Sequence, residues 1–502
     1  DLKNSSWRFR LNSFCPYSVT FKLKLDVSFF NGLYNEETQK ATGRDSLKVT
    51  EYGQKLFNLN RQLEFLRSDI QKNYAQYYDF RYGNQVVKIP ELQSTLEVNE
   101  AIIDYMITDS TVFAFLITQS DFKVFQIDKA HELVEQVKSL RSLMDVNSVK
   151  VHDEKTQQVY ASTAYAIYRD YLKEVLDQIE NNGIDHLICV TDAELGYLPF
   201  DILLTEEVEK GALDYRRFPY LGLDYTIRYS YSANLLVNKF NIVSGTGEVD
   251  FISFAPIYTN QSFSQISDAG IGRFRDAIVP LEWNSQEANT ISQYLEGQVY
   301  LGQSATERTF KLNANRSKIL HMAMHALVDD DQPMNSKLVF AQDNDSIEDG
   351  YLHTFELYNM ELNAELAVLS ACETGYGKMV KGEGIMSLAQ AFSYSGVPSV
   401  VMSHWKVDDK ATSEIMDLFY KNLSQGQSKS KALRNAKITF LENADPATSN
   451  PFYWGSFVLI GDDNPIVEND VSLTLMVIIA ALILTLVIFM LLRRRRLHKR
   501  SV

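Results

Sequence analysis

The chain is poor in cysteine, has no excess of positive charge and shows no internal repeat, and each shortage narrows what it can be. Three cysteines in 502 residues, Cys15, Cys189 and Cys372, make no disulfide framework and leave at least one thiol free. The formal net charge is −15, and six of the positive charges sit in the last ten residues, RRRRLHKRSV, so the remainder is more acidic still. A nucleic-acid partner needs a basic face and is therefore disfavoured. The glycine-bearing run GYGKMVKGEG lacks the G-x-x-x-x-G-K-[ST] spacing of a phosphate loop, and no nucleotide or other cofactor is expected. His321 and His325 share one strand face, but no matching Cys or His cluster accompanies them, and no metal is expected. No self-similarity recurs at a spacing of about 34 residues. No signal peptide is visible, and Asp1 in place of Met reads as the start of a processed or truncated product.

What is present points to an α/β protein. A chain of this length exceeds the usual single domain, so two or more folded units are expected, and a hydrophobic content of 45% supports a real core. Residues 1–85 form a poorly defined N-terminal segment: the first 50 show no clear period, while Glu51 to Tyr78 is amphipathic and reads as a helix. From Val86 the pattern changes. Ile102–Met106, Val112–Ile117 and Lys123–Ile127 read as strands of a small antiparallel sheet. Asp153–Asn182 follows with a helical period closed by Gly183, and His186–Val190 is a buried strand whose His186 and Cys189 serve packing. Residues 246–463 then alternate strand and helix: strands at Phe251–Ala255, Gln298–Leu301, Ile319–His325, Leu366–Leu369 and Ser399–Ser403, and helices at Ser285–Tyr294, after Thr306, and at Gly384–Ser395, Ala411–Leu423 and Ser428–Asn443. That alternation argues for a mostly parallel sheet flanked by helices.

The chemistry gathers at two strand ends. Leu366–Leu369 is a short buried strand, and Ser370-Ala371-Cys372 stands where it runs out, before a loop carrying Gly375, Gly377, Gly382 and Gly384. His325 lies 47 residues earlier, at the end of another apolar run and before the acidic loop Asp329-Asp330-Asp331-Gln332-Pro333. A parallel crossover would bring both side chains to one rim of the sheet, where open α/β folds build their sites. A thiol is a good nucleophile only as thiolate, and a nearby imidazole can take its proton and later return it to a leaving group.

The order and spacing of His325 and Cys372 are similar to the caspase arrangement. The runs HMAMHA, LSACETGYG with GEG after it, SHWKVDDKAT and NPFYWGSFVLIG, in that order, resemble a CHAT domain, a family of caspase-like and separase-like cysteine peptidases, from about Ile89 to Gly461. The resemblance implies a caspase-like fold with a non-catalytic first half, residues 86–245, and a catalytic half, residues 246–463. It implies His325 as base and Cys372 as nucleophile, with the backbone amides of Cys372 and Ala326 as oxyanion donors, although glycine is common where Ala326 stands. In Trp405-Lys406-Val407-Asp408-Asp409, Asp409 falls where the separase-like pattern W-x-V-x-D places an acid near the pocket for the residue before the cut, so a Lys or Arg there would gain a charge-assisted contact. The alternative is that Asp409 caps the helix beginning near Lys410. Glu373 and Glu383 are further pocket candidates, and His404 reads as structural. Because tetratricopeptide repeats often precede such domains, residues 51–78 are a candidate remnant of a repeat array.

The remaining segment, Val471 to Leu492, has 22 residues without one charge, followed at once by the basic residues 493–502. It reads as a membrane-spanning helix with lipid-bilayer contact, the large domain extracytoplasmic and the basic tail cytoplasmic, or alternatively as a tail anchor with the domain inside. Two functions follow: a membrane-anchored cysteine endopeptidase, with a protein or peptide substrate and regulation by a protein activator, or a non-catalytic membrane-anchored signalling scaffold of the same fold.

Overall fold

The computed structural model describes residues 45–73, 87–145, 154–209, 211, 214–237, 247–258, 280–329, 333–342, 348–358, 360–370, 378–380, 384–406 and 408–467, together with positions 23, 30, 34, 37, 38, 481–483 and 485. Cys372, Glu373, Glu383, the glycines 375, 377 and 382, and the basic tail lie outside them.

Alternating or continuous apolar residues produce a first group of strands: β1 (Glu100–Ile107), β2 (Val112–Ile117), β3 (Phe122–Ile127), β4 (His186–Val190) and β5 (Thr226–Ser230). β1, β2 and β3 form an antiparallel meander, as the sequence suggests, but it is not a separate sheet, because β1 also pairs in parallel with β4 and β4 with β5. The second group is β6 (Val249–Pro256), β7 (Gly297–Gly302), β8 (Ser317–Ala323), β12 (Leu366–Ser370), β15 (Ser399–Ser403) and β16 (Phe457–Gly461). β7, β6, β8, β12 and β15 run parallel, and β16 is antiparallel to β15 and meets β5 through Ile460 and Tyr229. Among the described residues one sheet of eleven strands results, in the order β3-β2-β1-β4-β5-β16-β15-β12-β8-β6-β7. The short strands β9 (His325–Leu327), β10 (Lys337–Val339) and β11 (Tyr351–His353) make a second sheet, and β13 (Lys378–Val380) and β14 (Gly384–Met386) a hairpin.

Helices cover both faces. α1 (Ser46–Asn73) lies in the N-terminal segment. α2 (Ile89–Thr95) packs against the face of β1, β2 and β4 that bears Ile102, Ile117, Ile188 and Val190, and α3 (Ala130–Ser142) and α4 (Glu154–Tyr171) join the core with the alternate residues Ile103, Tyr105, Leu187 and Cys189. α5 (Ala233–Val237) extends the α2 layer. In the second group α6 (Asn284–Thr290), α7 (Glu307–Asn313), α8 (Leu388–Tyr394), α9 (Asp409–Ser424) and α10 (Lys429–Asn443) flank the parallel strands.

The run 384–395 is not one helix: Gly384–Met386 pairs with Lys378–Val380 as a hairpin, and the helix starts only after Ser387, whose hydroxyl accepts from the Gln390 amide. The membrane-spanning helix over 471–492 and the single-pass placement built on it, in either orientation, are not supported. Among the described residues no helix is long and apolar enough to cross a membrane, and of that stretch only 481–483 and 485 are described.

Candidate functional site

The site begins with a register. β12 pairs with β8 so that Ser370 stands beside Ala323. In sequence His325 follows Ala323 by two residues and Cys372 follows Ser370 by two, so the strands that precede the two residues lie side by side and end at one rim. Both strands are mostly apolar inside: Ile319, Leu320, Met322, Leu366, Ala367, Val368 and Leu369 are fully buried, with His321 as the buried polar exception in the middle of β8.

His325 is not the end of β8. The central strand stops at Ala323, and after Met324 the chain turns into β9, which begins with His325. The imidazole is buried, and its ring centroid lies 4.7 Å from that of Tyr258, just beyond β6. The His325 amide donates to the Tyr258 hydroxyl at 3.0 Å, and that hydroxyl donates to the Val339 carbonyl at 2.7 Å. His325 and Val339 are register partners in the β9–β10 pair, so the tyrosine oxygen stands where a direct ladder bond would be. By the alternation of antiparallel ladders, the neighbouring Ala326 amide is then directed away from β10, toward the open edge of β9. Asn284, the first residue of α6, ties the same rim together: its amide nitrogen donates to the carbonyls of Pro256 at 2.9 Å and Ala323 at 3.3 Å, the ends of β6 and β8. Tyr258 and Asn284 escaped the sequence reading, because neither belongs to a chemical motif and both act through main-chain atoms.

His321 has a different task. It is fully buried on β8, with Nδ1 2.9 Å from the Tyr420 hydroxyl of α9 and Nε2 3.0 Å from Glu287 Oε1 of α6, the latter contact electrostatic rather than aligned for a hydrogen bond. It binds two helices to the sheet. Asp409 is the first residue of α9 and does not cap it. Asp408 does, accepting from the Ala411 amide at 3.0 Å. The Asp409 carboxylate instead accepts from the Trp283 amide at 2.8 Å, and burial, with Glu287 nearby, pushes its pKa up. His404 is buried, and its pKa is lowered to about 3 by burial and by the charges of Arg141 and Lys437. Cys189 is buried within the core, where burial pushes its thiol pKa up, and His186 opens β4 beside Asp185 and Asn99.

Among the described residues one group of carboxylates has metal-ligand spacing, Glu307, Glu348 and Glu356. The Lys311 ammonium already fills it, at 2.6, 2.5 and 2.7 Å from the three. Burial raises Glu307 to about 7 against the pull of Lys311, and although burial draws Lys311 down, its carboxylates hold it above its ordinary value.

Parallel strands ending at one rim, with a buried histidine whose backbone amide is tied there to the Tyr258 hydroxyl, define an α/β protein with a mostly parallel sheet. The CHAT domain matches residues 161–462, more than half of the chain, and the protein belongs to that family. Human tetratricopeptide repeat protein 28 is 27% identical over 215 residues, and the mouse protein of the same name is equally similar. These matches take in 37% of this chain and 8% and 9% of the relatives, so the chain spans only a small part of their length. Among solved structures, separase in the Saccharomyces cerevisiae separase–securin complex superposes with a TM-score of 0.45 at 9% identity, over 88% of this chain and 37% of that one. The Arg-specific cysteine proteinase gingipain R superposes with a TM-score of 0.35 at 11% identity, over 67% and 74%.

Proposed function

We propose that the protein is a cysteine endopeptidase in which His325 and Cys372 act as a dyad. The observation that carries this reading is the β8–β12 register, with Ala323 beside Ser370 two residues ahead of each. His325 takes the thiol proton, the thiolate attacks the scissile carbonyl carbon, and the proton passes to the leaving amine as the thioester forms. Water then attacks the thioester, giving a proton to the imidazole, which returns it to the departing sulfur. The amide of Ala326, aimed at an open strand edge, and that of Cys372 are the donors for the oxyanion. Family membership supports the assignment. A basic residue before the cut follows from Asp409, one of whose oxygens is already engaged by Trp283. Glu373 and Glu383, which lie outside the described residues, are further candidates for the same pocket. A protein partner that binds the segment after Cys372 would switch the enzyme on.

A peptide probe with a thiol-reactive warhead tests the dyad. Labelling is expected at Cys372, is abolished by Cys372→Ala, and is slowed by about 10²-fold or more by His325→Ala, the size of a lost general base. Labelling that persists unchanged in both variants would overturn the enzyme and leave a scaffold of the same fold. If Asp409→Ala leaves cleavage of Lys and Arg peptides undiminished, the basic specificity is wrong while the dyad stands.

A further inference from the structure

The first three strands present a sheet face that the helix layer leaves uncovered. Ile102, Asp104 and Met106 share one side of β1 and stand opposite Ile117, Phe115 and Phe113 of β2, which in turn face Phe122, Val124 and Gln126 of β3. α2 and α5 cover the Ile102 and Ile117 end only. Beyond them Met106 and Phe122 are each 45% exposed and Val124 51%, with Phe115 stacked on Phe122. Three strands spaced by about 4.8 Å make a strip roughly 14 Å wide, which fits one helix of about 10 Å diameter. Asp104 sits in this apolar strip. Burial, followed by the neighbouring Asp192, raises it to about 6, and among the described residues no cation or donor pairs with it.

The complementary surface lies elsewhere in the same chain. α1 buries one stripe, Leu56, Leu59, Leu63 and Leu66, and on another side exposes Phe57 at 63% and Phe65 at 68% with the exposed Arg61 between them. These three recur every fourth residue, so they form one line along the helix, and the Arg61 guanidinium lies over the Phe57 ring at 5.9 Å. Two aromatic rings flanking one cation match an apolar strip with one unpaired carboxylate. Two copies meeting sheet to sheet would bring no cation to Asp104, because this face of β1–β3 carries none, so helix on sheet is the favoured contact.

We infer that two copies of this chain associate by exchanging α1, the Phe57–Arg61–Phe65 line of each docking on the β1–β3 face of the other with Arg61 against Asp104. The exchange is reciprocal and closes as a dimer with two equal contacts. It does not rest on the peptidase reading.

Analytical ultracentrifugation of the full chain tests it. A dimer mass is expected in the micromolar range, and a monomer mass throughout that range overturns the inference. Arg61→Asp and Asp104→Arg, each alone, should weaken the dimer roughly tenfold or more, and the two together should restore it to within a few-fold, the mark of a direct charge pair. The exposed-site variants Phe57→Asp and Val124→Asp should give monomers with unchanged circular dichroism and melting temperature. A dimer indifferent to all four substitutions, or charge swaps that shift only the melting temperature of a monomer as a contact within one chain would, sinks the proposal.

Discussion

At the scale of single residues, the chain holds polar groups inside where their chemistry is restrained. Tyr258 is the clearest case, one hydroxyl serving the His325 amide and the Val339 carbonyl together, so that His325 is held through its backbone amide as well as by the ring contact. His404 shows the energetic side. Its folded pKa of about 3 lies below the 6.5 of the exposed imidazole. Between those values the unfolded chain binds a proton that the folded chain does not, so the burden is absent above about pH 6.5 and grows as pH falls toward 3. By linkage the loss at pH 4.5 is on the order of 2–3 kcal/mol. His404→Gln should therefore make urea denaturation less sensitive to acid: the gap between variant and wild type should shift in the variant's favour by about that amount between pH 7.5 and 4.5. Parallel curves for the two proteins would show that the imidazole is protonated freely in the fold.

At the scale of elements, what decides the site is where strands stop. β8 ends at Ala323 because the chain turns at Met324, where Asn284 grips the Ala323 carbonyl, and the helix after the hairpin starts at Ser387 because a capping hydroxyl is available there. β14 packs on the 193–197 turn of the first strand group, and the buried Tyr231 hydroxyl lies beside those of Ser387 and Ser393, so the start of α8 is held from both sides. Ser387→Ala should cost about 1 kcal/mol in urea denaturation, the usual worth of an N-cap; a cost near zero would mean the cap is idle. These boundaries mark the limit of what the sequence discloses. The apolar runs of β4, β6, β8, β12 and β15 are legible because a fully buried parallel strand has little freedom in composition. The break at Met324 is not legible, since Leu320 to Leu327 carries no turn residue and its interruption is set by Asn284 and Tyr258, distant in the chain. Likewise the glycines beyond Cys372 suggest a loop, but the β13–β14 pairing needs register that composition does not supply. Asp409 is singled out only by its resemblance to the W-x-V-x-D pattern, and its bond to Trp283 is not legible in the sequence.

At the scale of the whole molecule, one sheet unites two strand groups through β5 and β16, and buried charges cross the same junction. Lys437 of α10 places its ammonium 3.0 Å from Asp201, which lies beyond β4, and both side chains are nearly inaccessible. Nearby, Arg434 of the same helix donates to the carbonyl of Gly222 at 2.9 Å and to that of Leu223, and Arg228 of β5 reaches both Glu100 and the Gly461 carbonyl. Charges withdrawn from water at such a seam lose solvation that their attraction scarcely repays, so the pair adds little net stability, yet it makes each partner intolerant of the other's loss. Lys437→Met should therefore destabilise the protein by about 3–5 kcal/mol, because Asp201 is left buried and uncompensated. Lys437→Met with Asp201→Leu should recover most of that loss, since neither charge remains to be solvated. Both changes should move a single unfolding transition, followed by circular dichroism and by tryptophan fluorescence, if the two strand groups melt as one body through this seam. Two transitions, with only one of them shifted by Lys437→Met, would mean that each group folds for itself and that the charges merely dock one on the other.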